Sequence, residues 1–142
     1  MNNCKEFFKN KKITIMGLGI LGRGVGDAIF LAECGADLIV TDLKPSTALR
    51  PSLKELRKYK NIKYILGEHR LEDFRGRDMI IKSAGVSLDS IYTKEARKNK
   101  IPVEMSATLF AKLSGIPMVA VTGTRGKSTV AHLTAHILEL AD

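Results

Sequence analysis

Ile13-Thr14-Ile15-Met16-Gly17-Leu18-Gly19-Ile20-Leu21-Gly22 joins a short, β-branched apolar run to three glycines spaced G-x-G-x-x-G. Lysines precede the run, and it reads as a buried strand. Val25, Ala28, Ile29 and Ala32 then recur at helical spacing, and Gly35 stands where a C′ glycine would close that helix. A second strand, Asp37 to Thr41, follows and closes at Asp42. Strand, glycine turn, helix and strand within about thirty residues form a βαβ unit. Such a unit predicts a Rossmann-like α/β fold built on a doubly wound parallel sheet.

The rest of the first 114 residues continues the alternation. Ser52-Leu53-Lys54-Glu55 has the form of a capping box opening a helix to about Tyr59. A strand is expected over Ile62–Leu66, a helical turn at Leu71–Phe74, a strand over Asp78–Lys82 and a basic helix over Ser90–Asn99. A short strand at Pro102–Met105 and a helix over Ser106–Leu113 lead to Ser114-Gly115, which reads as a linker.

Each glycine of the turn has a distinct expected task. Gly17 permits the tight turn, Gly19 lets a diphosphate approach the backbone, and Gly22 allows close helix–strand packing. Asp42 lies about twenty residues beyond Gly22, at the end of the second strand, where a ribose-binding acid belongs. Two ligands suit this pattern. NAD would place a ribose hydroxyl on Asp42; a uridine diphosphate sugar would place its uridine end against Asp42 and Lys44.

A second phosphate-binding pattern lies downstream. Ile116 to Val121 reads as a buried strand, Thr122-Gly123-Thr124-Arg125-Gly126-Lys127-Ser128-Thr129 as a glycine turn, and the residues to Leu140 as a helix. Gly123 and Gly126 let backbone N–H groups surround an anion, Lys127 adds a full charge, and a Ser128 or Thr129 hydroxyl can ligate Mg²⁺. The strict Walker A motif would place its first glycine where Val121 stands.

Composition narrows the partners. Hydrophobic residues make up 44% and charged residues 27%, as in ordinary globular chains, and no apolar run reaches the roughly 18 residues of a membrane span. The formal charge is +8, with lysines crowded at 9–12, 54–63 and 94–100. No aromatic platform interleaves them, so a solvated basic surface or a small anionic ligand is expected, not nucleic acid. Cys4 and Cys34 share no motif spacing and read as free thiols of a cytoplasmic protein. His132 and His136 are four apart, but Leu133 stands where a zinc-site glutamate would, so they read as ordinary helix-face histidines. His69 has no identifiable partner and reads as structural.

The short loop T-G-T-x-G-K-[ST] resembles that of the Mur ligases, and the resemblance extends along the chain. Gly17-Leu18-Gly19-x-x-Gly22, Asp42, Gly67-Glu68-His69, Lys82-Ser83-Ala84-Gly85-Val86 and Thr108-Leu109-Phe110 occur in the order seen in the D-glutamate-adding members. The resemblance implies a UDP-sugar-binding domain over residues 1–114 and the start of a central ATP-binding domain over 115–142. It implies a cytoplasmic, monomeric, ATP-dependent amide ligase of cell-wall precursor synthesis, with neither a nucleic-acid nor a membrane partner. Such an enzyme activates a carboxylate of a UDP-linked muramoyl-type substrate as an acyl phosphate, which the amine of an amino acid, D-glutamate for those members, then attacks. Lys127 would be catalytic, holding the transferring phosphates. Gly123, Thr124, Arg125, Gly126, Lys127, Ser128 and Thr129 would bind ATP, and Ser128 or Thr129 the Mg²⁺. Gly17, Leu18, Gly19, Ile20, Leu21, Gly22, Asp42, Lys44, Ser83, Ala84 and Gly85 would bind the UDP-sugar. A chain ending one helix past the loop is expected to be a fragment inactive by itself. Three departures stand out: Arg125 replaces the usual asparagine, Ala84 the usual proline, and Thr108 a frequent glutamate. Archaeal pseudomurein and poly-γ-glutamate relatives carry similar arginine-containing loops. The reading from a different class is a nucleotide- or NAD-sensing Rossmann module without catalysis.

Overall fold

Five parallel strands form the sheet: β1 (Lys12–Met16), β2 (Asp37–Asp42), β3 (Ile62–Leu66), β4 (Met79–Lys82) and β5 (Val103–Glu104). Their order is β3-β2-β1-β4-β5, so the chain winds outward from β1 and then returns to its other side. The winding reverses between β1 and β4, and the crevice above their C-terminal ends is where such sheets bind ligands. The computed structural model describes residues 2–20 and 22–141. Its helices are α1 (Asn2–Phe8), α2 (Arg23–Glu33), α3 (Arg50–Leu56), α4 (Ile91–Lys98), α5 (Ser106–Ser114) and α6 (Lys127–Ala141), with a 3₁₀ turn at Leu71–Phe74. The doubly wound parallel sheet read from the sequence is therefore present.

The two faces of the sheet are covered differently. On one face Ile13, Ile15, Leu38, Val40, Met79 and Ile81 pack with Val25, Ala28 and Leu31 of α2, Leu56 of α3 and Leu109 of α5. Helices satisfy their own backbone, so this face can be purely apolar. The other face receives α4 and the irregular connection from Gly67 to Arg75, whose carbonyls need donors when buried. Two strand threonines, both fully buried, supply them: Thr14 Oγ1 donates to Asp73 O at 2.7 Å and Thr41 Oγ1 to Glu68 O at 3.0 Å. Arg70 forks onto both oxygens of Asp73, at 2.8 and 2.7 Å, and so fixes the 3₁₀ turn.

Three local expectations need correction or addition. Ser52 does not cap α3: the helix begins two residues earlier at Arg50, with Pro51 in its first turn, where a fixed φ is favourable. The Ser52 hydroxyl instead donates to Gly19 O at 3.0 Å. Ile116–Val121 is not a strand: it pairs with no ladder among the described residues, and Ile116, Met118 and Val119 are 61%, 44% and 70% exposed. A β-branched segment becomes a strand only when a neighbour accepts its hydrogen bonds. Finally, α1 has no periodic signature; it is anchored by Phe8, buried edge-on against Phe30, a burial that contributes about 2 kcal/mol.

Candidate functional site

The glycine turn begins where β1 stops. Gly17 N–H extends the ladder to Thr41 O at 2.8 Å, and on the other side Ser83 N–H reaches Met16 O at 2.9 Å. Gly17 has φ +94°, and a Cβ there would lie 2.5 Å from Ser83 Oγ, so only glycine lets the two turns meet. The third glycine acts differently from expectation. Gly22 caps α2 in the left-handed region at φ +83°, and open space surrounds the position of its missing Cβ. Close packing is the property of Gly24, where a Cβ would strike Leu18 O and lie 2.8 Å from Gly17 O and Leu18 Cα.

Asp42 is buried beside this turn and is already engaged. Its Oδ2 accepts from Gly19 N–H at 2.8 Å and its Oδ1 from Lys44 N–H at 2.9 Å. The Gly19 N–H therefore points at Asp42, not at an incoming phosphate. Each carboxylate oxygen retains a lone pair that a ligand donor can use. No side chain caps α2 among the described residues, so the N–H groups of its first turn, with their partial positive charge, remain available to an anion.

These elements enclose a cleft of about 400 Å³ lined by Gly17 to Ile20, Arg23, Gly24, Asp42 to Lys44, His69, Ser83, Gly85 and Val86. An annex of about 300 Å³ shares Gly17, Arg23, Gly24 and Ser83 with it and continues past Lys82 and Ala84 to Ser106. Leu18, Gly19, Ile20, Asp42, Lys44, Ser83, Ala84 and Gly85 thus all line one continuous depression. Gly22 stands at its rim as the cap of α2, and Leu21 lies outside the described residues. His69 is held by Thr41 Oγ1 at 2.7 Å from its Nδ1 and lies edge-on to Tyr92 and Phe74. Burial pushes its imidazole below the ordinary histidine value, while the Asp42 charge pulls the other way. At the far end of the annex Ser106 donates to Asp27 Oδ2 at 2.5 Å; burial raises the Asp27 carboxyl and this bond partly offsets it.

The downstream loop is a separate place. Gly123 to Thr129 is exposed throughout, and α6 buries no residue. Gly126 has φ +76° immediately before the helix, and the Lys127 ammonium folds back onto Gly123 O at 2.6 Å. A left-handed glycine, a helix start, a lysine and two adjacent hydroxyls are the donor set that a nucleotide phosphate and its Mg²⁺ use. Among the described residues no group of three or more His, Cys, Asp and Glu could hold a metal by itself, so phosphate oxygens would have to complete such a site. His132 and His136 are exposed on α6.

The sequence reading missed Arg23, Ser52 and Gly24. Arg23 lines both depressions and follows the third glycine directly, a position from which any side chain must face the helix N-terminus. Ser52 carried only the misleading signal of a capping box. Gly24 lies outside the G-x-G-x-x-G spacing.

The family "Mur ligase MurD-like, N-terminal domain" matches residues 11–104. The UDP-N-acetylmuramoylalanine--D-glutamate ligase of Treponema pallidum is 43% identical over 139 residues, which cover 97% of this chain and 26% of that protein. The ligase of the same name from Borreliella burgdorferi is 41% identical over 132 residues, covering 92% and 28%. The chain thus spans about a quarter of the length of these curated relatives. Among solved structures, a pseudomurein peptide ligase type C from Methanothermus fervidus superposes with TM-score 0.56 at 28% identity, over 92% of this chain and 26% of that one. SirC, a precorrin-2 dehydrogenase, shares the fold alone, with TM-score 0.53 at 19% identity over 93% of this chain and 65% of that one.

Proposed function

The chain belongs to the Mur ligase family as a MurD-like N-terminal domain, and on that premise we propose that its cleft holds the UDP end of a UDP-muramoyl-type precursor. The observation that supports this reading is the coincidence, near the point where the sheet order reverses, of a buried carboxylate and a helix N-terminus with no side-chain cap among the described residues. The first-turn N–H groups of α2, with Arg23, suit a diphosphate; Asp42 and Lys44, at the other end, suit the uridine. Ser83, Ala84 and Gly85 form the opposite wall. The name these relatives carry supports extending the reading to the whole protein, as amide-bond formation between the precursor's carboxylate and D-glutamate, and we place that activity in the cytoplasm, in a monomer.

Gly123 to Thr129 would hold the ATP phosphates, with Lys127 against the transferring group and Ser128 or Thr129 on Mg²⁺. ATP, when bound, supplies the phosphoryl group that activates the precursor's carboxylate. What this chain's own residues contribute is donors and charge: the backbone N–H groups of 124–127 and the Lys127 ammonium orient the phosphates and offset their negative charge. For that the Lys127 Nζ must leave Gly123 O. Residues 1–114 and 115–142 would accordingly serve different ligands, the first the UDP-sugar and the second ATP.

Thermal-shift measurement with UDP, UDP-N-acetylmuramoyl-L-alanine, NADH and Mg²⁺–ATP in parallel tests the cleft. We expect both uridine ligands to raise the melting temperature, and Gly19→Ala to weaken that rise. The methyl would project into the open space beside Gly19, which is the space of the cleft. Stabilisation by NADH alone would overturn the proposal in favour of a nucleotide-sensing module.

A further inference from the structure

Between α1, α2 and α5, on the helix-covered face of the sheet, lies an apolar groove of about 320 Å³. Phe8, Leu31 and Ile81 form its buried wall, and Phe30 and Phe110, 49% and 62% exposed, flank its mouth. Protein interiors normally close such space to the density of an organic crystal. Here few residues draw the covering helices in: α5 buries Leu109 alone, and α1 is anchored by Phe8.

The polar pair in this lining is Asp27 and Ser106. Both also line the annex of the cleft, so their 2.5 Å hydrogen bond stands between the two spaces. That bond uses Oδ2. Among the described residues no donor reaches Oδ1, and no cation pairs with the carboxylate. Burial raises the Asp27 carboxyl, and only the Ser106 bond offsets this. A half-buried carboxylate with one hydrogen bond is short of partners, and a cationic donor supplies both the missing bond and the missing charge. Asp27 is also the only charged residue in the lining among the described residues. The lysines behind the net charge of +8 are therefore elsewhere, and salt screens their repulsion beyond about 8 Å. An apolar cavity of this size with a single fixed polar group has the make-up of a small-molecule site.

We propose that the groove is a second ligand site, for a flat aromatic molecule ending in an ammonium or amidinium group. The ring lies among Phe8, Phe30, Leu31 and Phe110, and the cation meets Asp27 Oδ1. The site is independent of the UDP-end reading, since no described residue of the 17–22 turn lines the groove.

Isothermal titration with three probes of one shape, naphthylmethylamine, naphthylmethanol and naphthoate, tests the charge selectivity. The amine is expected to bind about tenfold more tightly than the alcohol, the difference between a charge-assisted and a neutral hydrogen bond, and naphthoate most weakly. Asp27→Asn should bring the amine down to the affinity of the alcohol and leave the alcohol unchanged. Wild-type chain alone gives a second readout: the half-buried Cys4 thiol lines the groove and Cys34 is buried, so saturating amine should slow alkylation of Cys4 by iodoacetamide. Equal affinity for amine and alcohol, binding of neither, or unslowed Cys4 alkylation would overturn the proposal. A dimer in light scattering that Phe110→Ala splits would assign the groove to a second copy and overturn it as well.

Discussion

Gly24→Ala and Gly26→Ala, two residues apart on α2, should move stability in opposite directions. In an ordinary helix interior, Gly→Ala stabilises by up to about 1 kcal/mol, because glycine's unfolded chain has more freedom to lose. Gly26 meets that condition: it is exposed, and nothing lies within 4 Å of where its Cβ would stand. At Gly24 the same methyl meets the carbonyl oxygens of Leu18 and Gly17 and the Leu18 Cα. These are backbone atoms of the glycine turn, unable to swing aside as a side-chain tip could, so overpacking of about 1–3 kcal/mol applies. Net of the propensity gain, Gly24→Ala should destabilise by about 1–2 kcal/mol. Urea unfolding at neutral pH would read this as a lower midpoint at unchanged slope. Thermal unfolding would lower the melting temperature by about 3–8 °C and raise it slightly for Gly26→Ala. A Gly24→Ala chain as stable as Gly26→Ala would refute the claim that helix and turn touch here.

Asp42→Asn should cost about 1–3 kcal/mol in urea unfolding, since the carboxamide's nitrogen faces either the Gly19 or the Lys44 N–H donor and one bond becomes a clash of donors. Because burial lowers the His69 pKa, the unfolded chain binds the extra proton first, and stability should fall as pH drops below the ordinary value of 6.5; His69→Gln, followed across that range, should flatten this slope. Asp27 has the opposite shift, so its ionised form is disfavoured in the fold. Asp27→Asn keeps an acceptor for Ser106 and should match or exceed wild-type stability at neutral pH, the gap closing in acid as the native carboxyl protonates. With the Gly123–Thr129 loop fully exposed, the 142-residue chain should release no phosphate from ATP above background when given UDP-N-acetylmuramoyl-L-alanine and D-glutamate; measurable release would contradict this.

The sheet was legible because each strand of the first unit is a short apolar run punctuated by glycine, a pattern that survives any packing detail. The second face was not. Thr14 and Thr41 look like neutral strand residues, and only the irregular connection laid across them reveals why hydroxyls stand there. Spacing located the glycine turn but misassigned its close contact, because G-x-G-x-x-G says nothing of Gly24. Ser52 matched a capping pattern whose helix starts elsewhere, and its true acceptor is a carbonyl 33 positions away in sequence. Ile116–Val121 has the composition of a strand, but composition cannot supply the neighbour that would make it one.

The Gly19 peptide neighbourhood has one more consequence. Its N–H is held by Asp42 and its C=O by Ser52, one from β2 and the other from α3. Glycines in nucleotide turns are free to rotate their peptide planes, and a ligand that had to wait for such a rotation would bind slowly and lose entropy in arresting it. Here the two peptide planes that meet at the Gly19 Cα are each held by one hydrogen bond before any ligand arrives, so that ordering cost falls on folding instead of on association. Removing the Ser52 clamp alone should therefore show itself in the rate at which a ligand associates, more than in the rate at which it leaves.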